Sequence, residues 1–399
     1  MKCKNNKLLS ILIACFIILL LIINGCHSTL LKENQSAIDR IKAKWLPDNR
    51  EGICSVNLSY GQKGAIILHG ETTLAQAKSE IIKTLSKSGI NLIDSIIVFP
   101  DSIRTPEFKG VVTLSVINLR KHPDHRSELV SQAILGTPVL ILKNENSWLM
   151  IQTPDRYIAW TESSSIQLMT SEEFKDWQKS ERVMFMDNSG WIYTSNAEKG
   201  VVGDVVAGSI LKKGKEFAGG YTQVFLPDGR VGFINNKKLM SFQNWEAKVK
   251  CNEHNIDSVA FQYLGLPYLW GGTSTKGVDC SGFVQSVFFR NGLILSRDAS
   301  LQAQHGAQVD ISDSYKQLKN GDLLFFGSKE NTKLHVTHVA IYIGDKKYIN
   351  SSGRVMINSL DSGSTDYISS RESSFLIARR IIGIKNDIGI VPVSNHLWY

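Results

Sequence analysis

Several features that mark common classes of protein are missing from this sequence. Six cysteines occur but none forms a CxxC motif, so a thioredoxin-like domain or a zinc ribbon has no support. No low-complexity run interrupts a composition of 43% hydrophobic and 21% charged residues, which is typical of folded globular proteins. The net charge of +8 is spread along the chain without a nucleic-acid-binding motif, and we therefore expect no nucleic-acid partner. A chain of 399 residues is too long for one hydrophobic core, so we expect about two to four domains.

The sequence also lacks an apolar run long enough for a membrane-spanning helix. Residues 8–23 are mostly apolar, but a helix needs about 20 such residues to cross a bilayer. Three lysines precede this run, and Ile-Asn-Gly-Cys at 23–26 resembles the cleavage box of bacterial lipoproteins. We therefore expect 1–25 to be a lipoprotein signal peptide and Cys26 to carry the lipid that anchors an exported protein in the cell envelope. The alternative, an uncleaved anchor, also ends at a membrane.

Removal of the signal peptide would leave four cysteines, namely Cys26, Cys54, Cys251 and Cys280. If Cys26 is lipidated, Cys54 and Cys251 can pair in an oxidising envelope or remain as two buried thiols, and the sequence leaves both states open. Cys280 differs from the others because of the residues around it.

Residues 26–105 are predicted to form a small α/β region of unknown role. Apolar residues recur at helical spacing between residues 73 and 88, and LIDSIIVFPD at 92–101 is typical of a short buried strand closed by a turn. No motif in this region indicates a catalytic or binding function.

An internal repeat follows this region. Residues 129–162 align with residues 201–235, and a Pro-Asp turn followed by an aromatic recurs at the same offset in both copies. Short strands separated by turns predict two small β-barrels, at 106–180 and 181–243. The pattern resembles bacterial SH3-like domains, which commonly accompany cell-wall enzymes. A pair of barrels with no binding role is the alternative.

The segment after the barrels, residues 250–384, is predicted to be an α+β domain. Residues 280–291 have an apolar helical face and end at an Asn-Gly pair, which favours a helix that begins at Cys280. Strand-like segments follow at 322–327, 338–344 and 347–352. A cysteine-bearing helix packed on an antiparallel sheet resembles the papain-like layout. Residues 385–399 are predicted only as a tail.

Cys280, in GVDCSGF, is the candidate nucleophile. The thiolate is the reactive form of cysteine, and an ordinary thiol is only about 3% ionised at pH 7. Because Cys280 begins the predicted helix, backbone N–H groups and the helix dipole are expected to favour the thiolate. Such a nucleophile requires a base and a site for the oxyanion.

His338, at the start of the apolar strand HVAIYIG, is the candidate base. A turn of three residues at 344–346 would place Asn350 opposite Ala340 and on the same face of the sheet as His338. The amide could then orient the imidazole, as in Cys-His-Asn sites. A four-residue turn would spoil this arrangement.

Other assignments of the base remain open at this point. His335 and His305 are alternatives to His338. A zinc site formed by Cys280, His335 and His338 is a further alternative, although its spacing matches no known zinc cage. The thiol chemistry itself implies no cofactor and no metal.

The motifs DCSGF, THVAIYIG and YIN together resemble the NlpC-type cell-wall cysteine peptidases, and PYLWGG ahead of the cysteine strengthens the likeness. The resemblance implies that Cys280 attacks, that His338 is the base and that Asn350 holds it, although the family often has histidine at the third position. It also implies that Tyr268 and the backbone N–H of Cys280 hold the oxyanion. The alternative for Tyr268 is a packed core residue.

One branch of this family, the γ-D-glutamyl-L-diamino acid endopeptidases or dipeptidyl-peptidase VI group, also has two SH3-like domains before its peptidase domain. Two more segments resemble this branch, NLRKHPDHRSELVSQ at 118–132 and LSRDASLQAQ at 295–304. The resemblance covers nearly all of the mature chain. It implies that the substrates are murein stem peptides with a free N-terminal L-Ala, cut between D-Glu and the diamino acid to release L-Ala-D-Glu. Diaminopimelate and lysine are both open as the diamino acid.

An enzyme that releases dipeptides must recognise a free ammonium group, which requires carboxylates in its cleft. By resemblance Asp298 takes this role. Glu128 and Tyr157 of the first barrel are candidates to close the pocket, because the second copy of the repeat has other residues at their positions. Ordinary barrel surface is the alternative for Glu128 and Tyr157. Asp279 and Ser281 resemble the substrate-contacting pair of the family, and Asp279 can alternatively cap the helix.

We therefore expect a monomeric, lipid-anchored cysteine peptidase that acts on peptidoglycan stem peptides. Two other interpretations stay open. One is a cell-wall-binding lipoprotein with a silent peptidase domain, and the other is a thiol enzyme that hydrolyses or transfers acyl groups on a substrate other than murein.

Overall fold

The structure, a computed structural model, describes residues 30–87, 91–101 and 108–399. The predicted signal peptide at 1–25 and the predicted lipidation site Cys26 lie outside these residues. The chain divides into two compact units, Met1–Asp101 and Ser102–Tyr399. Within the described residues, no helix combines the length and the apolar character that a membrane crossing requires.

The first unit is a small α/β fold, in agreement with its sequence. Its elements in chain order are helix α1 (residues 30–45), β1 (Cys54–Tyr60), β2 (Ile66–Thr72), α2 (Ala75–Ser86) and β3 (Leu92–Val98). Strands β1 and β2 are antiparallel, whereas β3 runs parallel to β2 and therefore needs the crossover that α2 provides. Ile81 of α2 and Leu68 of β2 are fully buried in the core of this unit.

The second unit begins with two antiparallel sheets of the same topology, each with seven strands in the described part of the chain. The strands of the first are β4 (Lys109–Val112), β5 (Val116–Arg120), β6 (Leu129–Ile134), β7 (Pro138–Glu145), β8 (Trp148–Gln152), β9 (Ile158–Glu162) and β10 (Ile166–Met169). Those of the second are β11 (Arg182–Phe185), β12 (Ser189–Tyr193), β13 (Val201–Val206), β14 (Ile210–Phe217), β15 (Tyr221–Phe225), β16 (Val231–Asn235) and β17 (Leu239–Ser241).

The strand orders of these two sheets match position by position. The first runs β10-β4-β7-β8-β9-β5-β6 and the second runs β17-β11-β14-β15-β16-β12-β13. Alternate residues point into each barrel, for example Leu149 and Ile151 in the first and Val224 and Ile234 in the second, all at most 1% exposed. The repeat in the sequence therefore corresponds to two copies of one barrel. Helix α3 (Ser171–Lys179) joins them.

The last part of the second unit is the α+β domain. Its helices are α4 (Phe242–Lys248), α5 (Glu253–Phe261), α6 (Cys280–Arg290), α7 (Ala299–Gln302) and α8 (Ser369–Ser373). Its strands are β18 (Thr273–Ser274), β19 (Gly277–Val278), β20 (Leu293–Leu295), β21 (Ala307–Val309), β22 (Leu323–Glu330), β23 (Lys333–Gly344), β24 (Lys347–Ser352), β25 (Arg354–Ser359), β26 (Phe375–Arg380) and β27 (Ile390–Pro392). The main sheet is antiparallel with the order β21-β26-β22-β23-β24-β25.

Helix α6 packs its apolar face on this sheet, as the sequence predicts. Phe283, Val287 and Phe288 are fully buried in one core with Val339 of β23, and burial of each such side chain contributes about 1.5–3 kcal/mol. The helix ends at Arg290, and Gly292 has a φ of +83°, the left-handed conformation that favours glycine after a helix. This packing fixes where the first residue of α6 lies.

The hairpin between β23 and β24 differs from the predicted three-residue turn. Asp345 and Lys346 both have positive φ, which is typical of a two-residue turn, and a bulge adds one unpaired residue to β23. With the extra residue in β23, the strands pair beyond the bulge as they would after a three-residue turn. Because Ile341 pairs with Ile349, Asn350 keeps the position that the sequence predicts for it.

The predicted tail is part of the fold. Strand β27 pairs with β20, so that Ile390 lies opposite Leu295. Tyr399 stacks on Phe242, with ring centroids 6.3 Å apart and planes at 21°. The prediction of a simple tail is wrong because three residues of strand and one aromatic are too short a pattern to recognise in sequence.

Candidate active site

Cys280 is the first residue of α6, and the residue before it closes the helix end. The Asp279 carboxylate accepts the backbone N–H of Gly282 at 2.7 Å, which is an N-cap bond. Cys280 is 9% exposed, and its sulfur accepts the backbone N–H of Val339. The nucleophile therefore lies against the strand residue that follows His338.

The environment of Cys280 favours the neutral thiol. Burial, and after it the charge of Asp279, raises the pKa of Cys280 to about 11. The N–H of Val339 and the charge of Arg297 act in the opposite direction but do not outweigh burial. At Cys280 burial outweighs the effect of the helix N-terminus, and the thiol needs a base to take its proton.

His338 and Asn350 lie together on neighbouring strands. The distance from His338 Nε2 to Asn350 Oδ1 is 2.8 Å, and both residues are buried. The sequence predicts this contact, and the register of the hairpin produces it. A short hydrogen bond between buried partners holds the imidazole in one orientation.

The other hydrogen bonds of Asn350 determine which nitrogen of His338 carries the proton. Asn350 Nδ2 donates to Met356 O at 3.3 Å and to Asn358 Oδ1 at 2.8 Å, so Oδ1 is the atom that faces the histidine. Asn358 Nδ2 donates in turn to Asp366 O. Since Oδ1 can only accept, Nε2 of His338 is protonated and Nδ1 is free to act as a base. Asn358 is not part of the sequence prediction.

The imidazole of His338 is held in its neutral form. Burial, and after it the positive charge of Arg371, lowers the pKa of His338 to about 4, although the bond to Asn350 and the charge of Asp279 favour the cation. At neutral pH the pair therefore consists of a thiol and a neutral imidazole. This is the starting state for general-base activation of a nucleophile.

Tyr268 lies beside the short strand that leads into Cys280. Its backbone forms a bridge with Val278, and it is partly buried. Burial, and after it the proximity of Cys280, raises the pKa of Tyr268 to about 12. The phenol is therefore protonated at neutral pH and can donate a hydrogen bond near the sulfur.

Arg297, which the sequence analysis does not identify, connects the nucleophile helix to the first barrel. This residue is 1% exposed. Its Nη2 and Nη1 donate to the two carboxylate oxygens of Asp279 at 2.6 and 3.1 Å. Nη1 also donates to Ser281 Oγ at 2.9 Å, and Nε donates to Ser131 Oγ of the first barrel at 3.0 Å. A two-point ion pair of this kind fixes both partners in space.

The contacts of Arg297 change the interpretation of Asp279 and Ser281. The oxygens of Asp279 accept from Arg297, from Gly282 and, at 2.9 Å, from the backbone N–H of Gly271. No acceptor position of this carboxylate is left for a substrate. The structure therefore supports the capping role of Asp279, and Ser281 Oγ lies between Arg297 Nη1 and Asp279 Oδ1.

The structure gathers two of the predicted pocket residues around Arg297. Burial opposes the charge of this guanidinium, but Asp279, Asp298 and Tyr157 outweigh burial and raise its pKa. Asp298 is the N-cap residue of α7, and its side chain makes no capping bond. Tyr157 is 6% exposed and belongs to the core of the first barrel. Both residues therefore lie near the nucleophile helix.

Glu128 occupies the exposed border between the first barrel and the peptidase loop. Its Oε1 accepts the indole N–H of Trp270 at 3.1 Å, and Trp270 is 62% exposed. The second barrel makes different contacts with the α+β domain. The second barrel contacts Gln262, Thr275, Lys276 and Arg290 of that domain through hydrogen bonds and an ion pair, and none of these four is a predicted site residue.

The alternative bases have other partners. His335 lies 3.5 Å from Glu330 at an exposed part of β23, and His305 Nδ1 lies 2.6 Å from Asp387. In the part of the chain that the structure describes, no group of three or more His, Cys, Asp or Glu side chains is placed to hold a metal ion. Cys54, Cys251 and Cys280 are free thiols.

Known proteins are similar to this chain in both sequence and fold. The NlpC/P60 family matches residues 265–372, and the bacterial dipeptidyl-peptidase Sh3 domain matches residues 119–166. The chain is 29% identical over 263 residues to dipeptidyl-peptidase 6 of Lysinibacillus sphaericus, which covers 63% of this chain and 92% of the relative. It is 30% identical over 230 residues to the gamma-D-glutamyl-L-lysine dipeptidyl-peptidase of Bacillus subtilis, which covers 55% of this chain and 71% of the relative.

The fold agrees with a crystal structure of an NlpC/P60 family protein from Bacillus cereus, with a TM-score of 0.58 and 23% identity over 68% of this chain and 99% of that one. These matches confirm the predicted fold class and the predicted resemblance. The similarity to peptidoglycan hydrolases indicates that the substrates are peptidoglycan peptides. It also indicates an extracellular or envelope location. The chain belongs to the NlpC/P60 family and is a cysteine-type peptidase of the cell wall.

Proposed function

We propose that this peptidase removes a dipeptide, L-Ala-D-Glu, from murein stem peptides by cutting the bond between γ-D-Glu and the diamino acid. The observation that carries this proposal is the position of Asp298 next to the Arg297–Asp279 pair at the start of α6. A carboxylate at that depth is a suitable partner for the free ammonium of an N-terminal L-Ala. The names of two relatives, both dipeptidyl-peptidases, support the same choice. Glu128 and Tyr157 of the first barrel complete the proposed pocket.

The first half of the proposed reaction forms a thioester. The proton of Cys280 Sγ moves to His338 Nδ1 as the sulfur bonds to the γ-glutamyl carbonyl carbon. Asn350 keeps Nε2 protonated, so that Nδ1 is the nitrogen that accepts. The O–H of Tyr268 and the backbone N–H of Cys280 stabilise the charge on the carbonyl oxygen. The C–N bond then breaks while His338 gives its proton to the leaving amine.

The second half of the reaction hydrolyses this thioester. A water molecule gives a proton to His338 Nδ1 and its oxygen bonds to the thioester carbon. When the C–S bond breaks, the proton returns from His338 to the sulfur of Cys280. L-Ala-D-Glu leaves with a new carboxyl group, and the thiol is restored.

A cleavage assay tests the proposed specificity. The protein is incubated with L-Ala-γ-D-Glu-meso-diaminopimelate and with its N-acetylated twin, and the products are measured by mass spectrometry. We expect L-Ala-D-Glu from the free peptide alone, and an Asp298→Asn variant that discriminates less between the two peptides. Equal cleavage of both by the wild type would contradict the ammonium pocket. Absence of cleavage would contradict the proposed substrate.

We also propose that the mature protein is a monomer anchored in the envelope by a lipid on Cys26. The apolar run and the Ile-Asn-Gly-Cys box support this. The test is mass spectrometry of the N-terminal peptide together with fractionation of a Cys26→Ala variant. A soluble wild-type protein with an unmodified Cys26 would contradict the anchor, and light scattering checks the monomer.

A further inference from the structure

Arg371 lies near the proposed base, and no step of the proposed reaction gives it a contact with the substrate. Its guanidinium carbon is 5.7 Å from the ring centroid of Phe326, and that ring lies 5.8 Å from the imidazole of His338. Its Nη2 is 3.5 Å from Ser352 Oγ on β24, the strand that also carries Asn350. Arg371 therefore reaches across β22 to β24 at the level of the histidine.

The partners of the Arg371 guanidinium are neutral groups, the hydroxyl of Ser352 and the ring of Phe326. Among the described residues, the guanidinium forms no ion pair with a carboxylate. The adjacent Glu372 is engaged elsewhere, since its oxygens accept the hydroxyls of Tyr315 at 3.2 Å and Tyr367 at 2.7 Å. A guanidinium whose protein partners are neutral can form a charge-assisted hydrogen bond with an anionic ligand. The positive charge of Arg371 also disfavours protonation of His338.

The position of the base indicates which part of a substrate would lie near Arg371. His338 must come within hydrogen-bond distance of the leaving nitrogen to protonate it. In a diamino acid the carbon attached to that nitrogen carries a carboxyl group. The acyl part of the substrate extends the other way, towards Asp298 and Glu128 next to the first barrel. The site is thus acidic at one end and basic at the other, which matches a peptide with an ammonium at its start and a carboxylate on its leaving residue.

We propose that Arg371 binds a carboxylate of the leaving diamino acid and so selects substrates that carry this charge. The proposal rests on the function proposed above. Two carboxylates of the leaving residue have the required chemistry. The α-carboxylate is present in both lysine and diaminopimelate tripeptides, whereas the side-chain carboxylate is present in diaminopimelate alone.

Three peptides separate these sources and test the proposal. They are L-Ala-γ-D-Glu-meso-diaminopimelate, L-Ala-γ-D-Glu-L-Lys and the α-amide of the lysine peptide, and kcat/KM is measured for each at pH 8. For the wild type we expect kcat/KM to fall by about 10-fold or more between the last peptide that has the bound carboxylate and the first that lacks it. A charge-assisted hydrogen bond contributes this much. A fall between the first two peptides assigns the side-chain carboxylate, and a fall between the last two assigns the α-carboxylate.

Variants show whether Arg371 causes that preference. Arg371→Gln should abolish the difference in kcat/KM between the peptides. The variant should cleave the preferred peptide more slowly and the lysine amide at nearly the wild-type rate. Arg371→Lys keeps a charge without the two-point geometry and should be intermediate. Lys333→Gln, at an exposed lysine on β23, is the matched control for loss of one positive charge and should keep the wild-type preference.

Two results would overturn the proposal. One is equal kcat/KM of the wild type on all three peptides, and the other is an Arg371→Gln variant that slows all three by the same factor. Failure of the wild type to cut any of them would instead reject the function on which the proposal rests. Melting curves of each variant, matched to the wild type, show that a loss of rate is not a loss of fold.

Discussion

Replacement of Asp279 by asparagine tests the buried ion pair that supports the nucleophile. Asparagine has nearly the same size and caps a helix about as well as aspartate, so the bond to Gly282 can persist. The change removes the carboxylate charge that pairs at 2.6 Å with the guanidinium of Arg297, a residue that is 1% exposed. Loss of one partner from a buried pair costs about 3–5 kcal/mol. For a unit that spans residues 102–399 we expect Tm to fall by about 5–8 °C, because the entropy of unfolding is about 2.1 cal/mol/K per residue.

Thermal unfolding followed by circular dichroism measures this loss, and two further variants locate its cause. Asp279→Asn combined with Arg297→Met removes the uncompensated cation and should recover much of the lost stability, because the double change no longer buries a lone charge. Asp313→Asn removes one partner of an exposed pair with Lys316 and should leave Tm unchanged within error. A fall of less than about 1 kcal/mol in the free energy of unfolding of Asp279→Asn would contradict the stabilising role of the ion pair. A double variant as unstable as the sum of the two single changes would contradict it as well.

Three predictions concern the chemistry. Asn350→Ala removes the acceptor that holds His338 Nε2 and should lower kcat by about 10²-fold or more, while Asn350→Asp keeps an acceptor and should retain far more activity; steady-state kinetics at pH 8 compares them. Tyr268→Phe removes an oxyanion donor and should lower kcat by about 10²-fold with little change in KM, and an unchanged kcat would exclude this role. Because burial and the charge of Arg371 lower the pKa of His338 to about 4, the base stays neutral as the pH falls through 6.5, so kcat/KM should decline only near pH 4; an acid limb centred at 6.5 would contradict this.

Much of the fold follows from local patterns. Each barrel could be predicted because its short strands are separated by turn residues. The second copy repeats the order of strands and turns of the first. Helix α6 could be predicted because Phe283, Val287 and Phe288 mark one face and Gly292 ends it. The contact between His338 and Asn350 could be predicted because both belong to one hairpin, where register alone sets the face.

Other parts of the site depend on contacts that no local pattern encodes. Arg297 is next to a predicted residue in the sequence, but its function depends on Asp279 and Ser131, which come from two different domains. Arg371 reaches His338 only because α8 folds over the end of β22 and β24. The resting thiol of Cys280 depends on how deeply the packed domain buries it, and a helix position does not report that.

In the proposed mechanism Cys280 carries the γ-glutamyl dipeptide as a thioester, and peptide mapping by mass spectrometry can detect this adduct. The protein is mixed with L-Ala-γ-D-Glu-meso-diaminopimelate, quenched in acid within the first turnovers, digested and mapped. We expect a mass increase equal to one L-Ala-D-Glu acyl group on the peptide that contains Cys280, and neither adduct nor hydrolysis with Cys280→Ala. An adduct on another residue, or hydrolysis by Cys280→Ala at the wild-type rate, would contradict it.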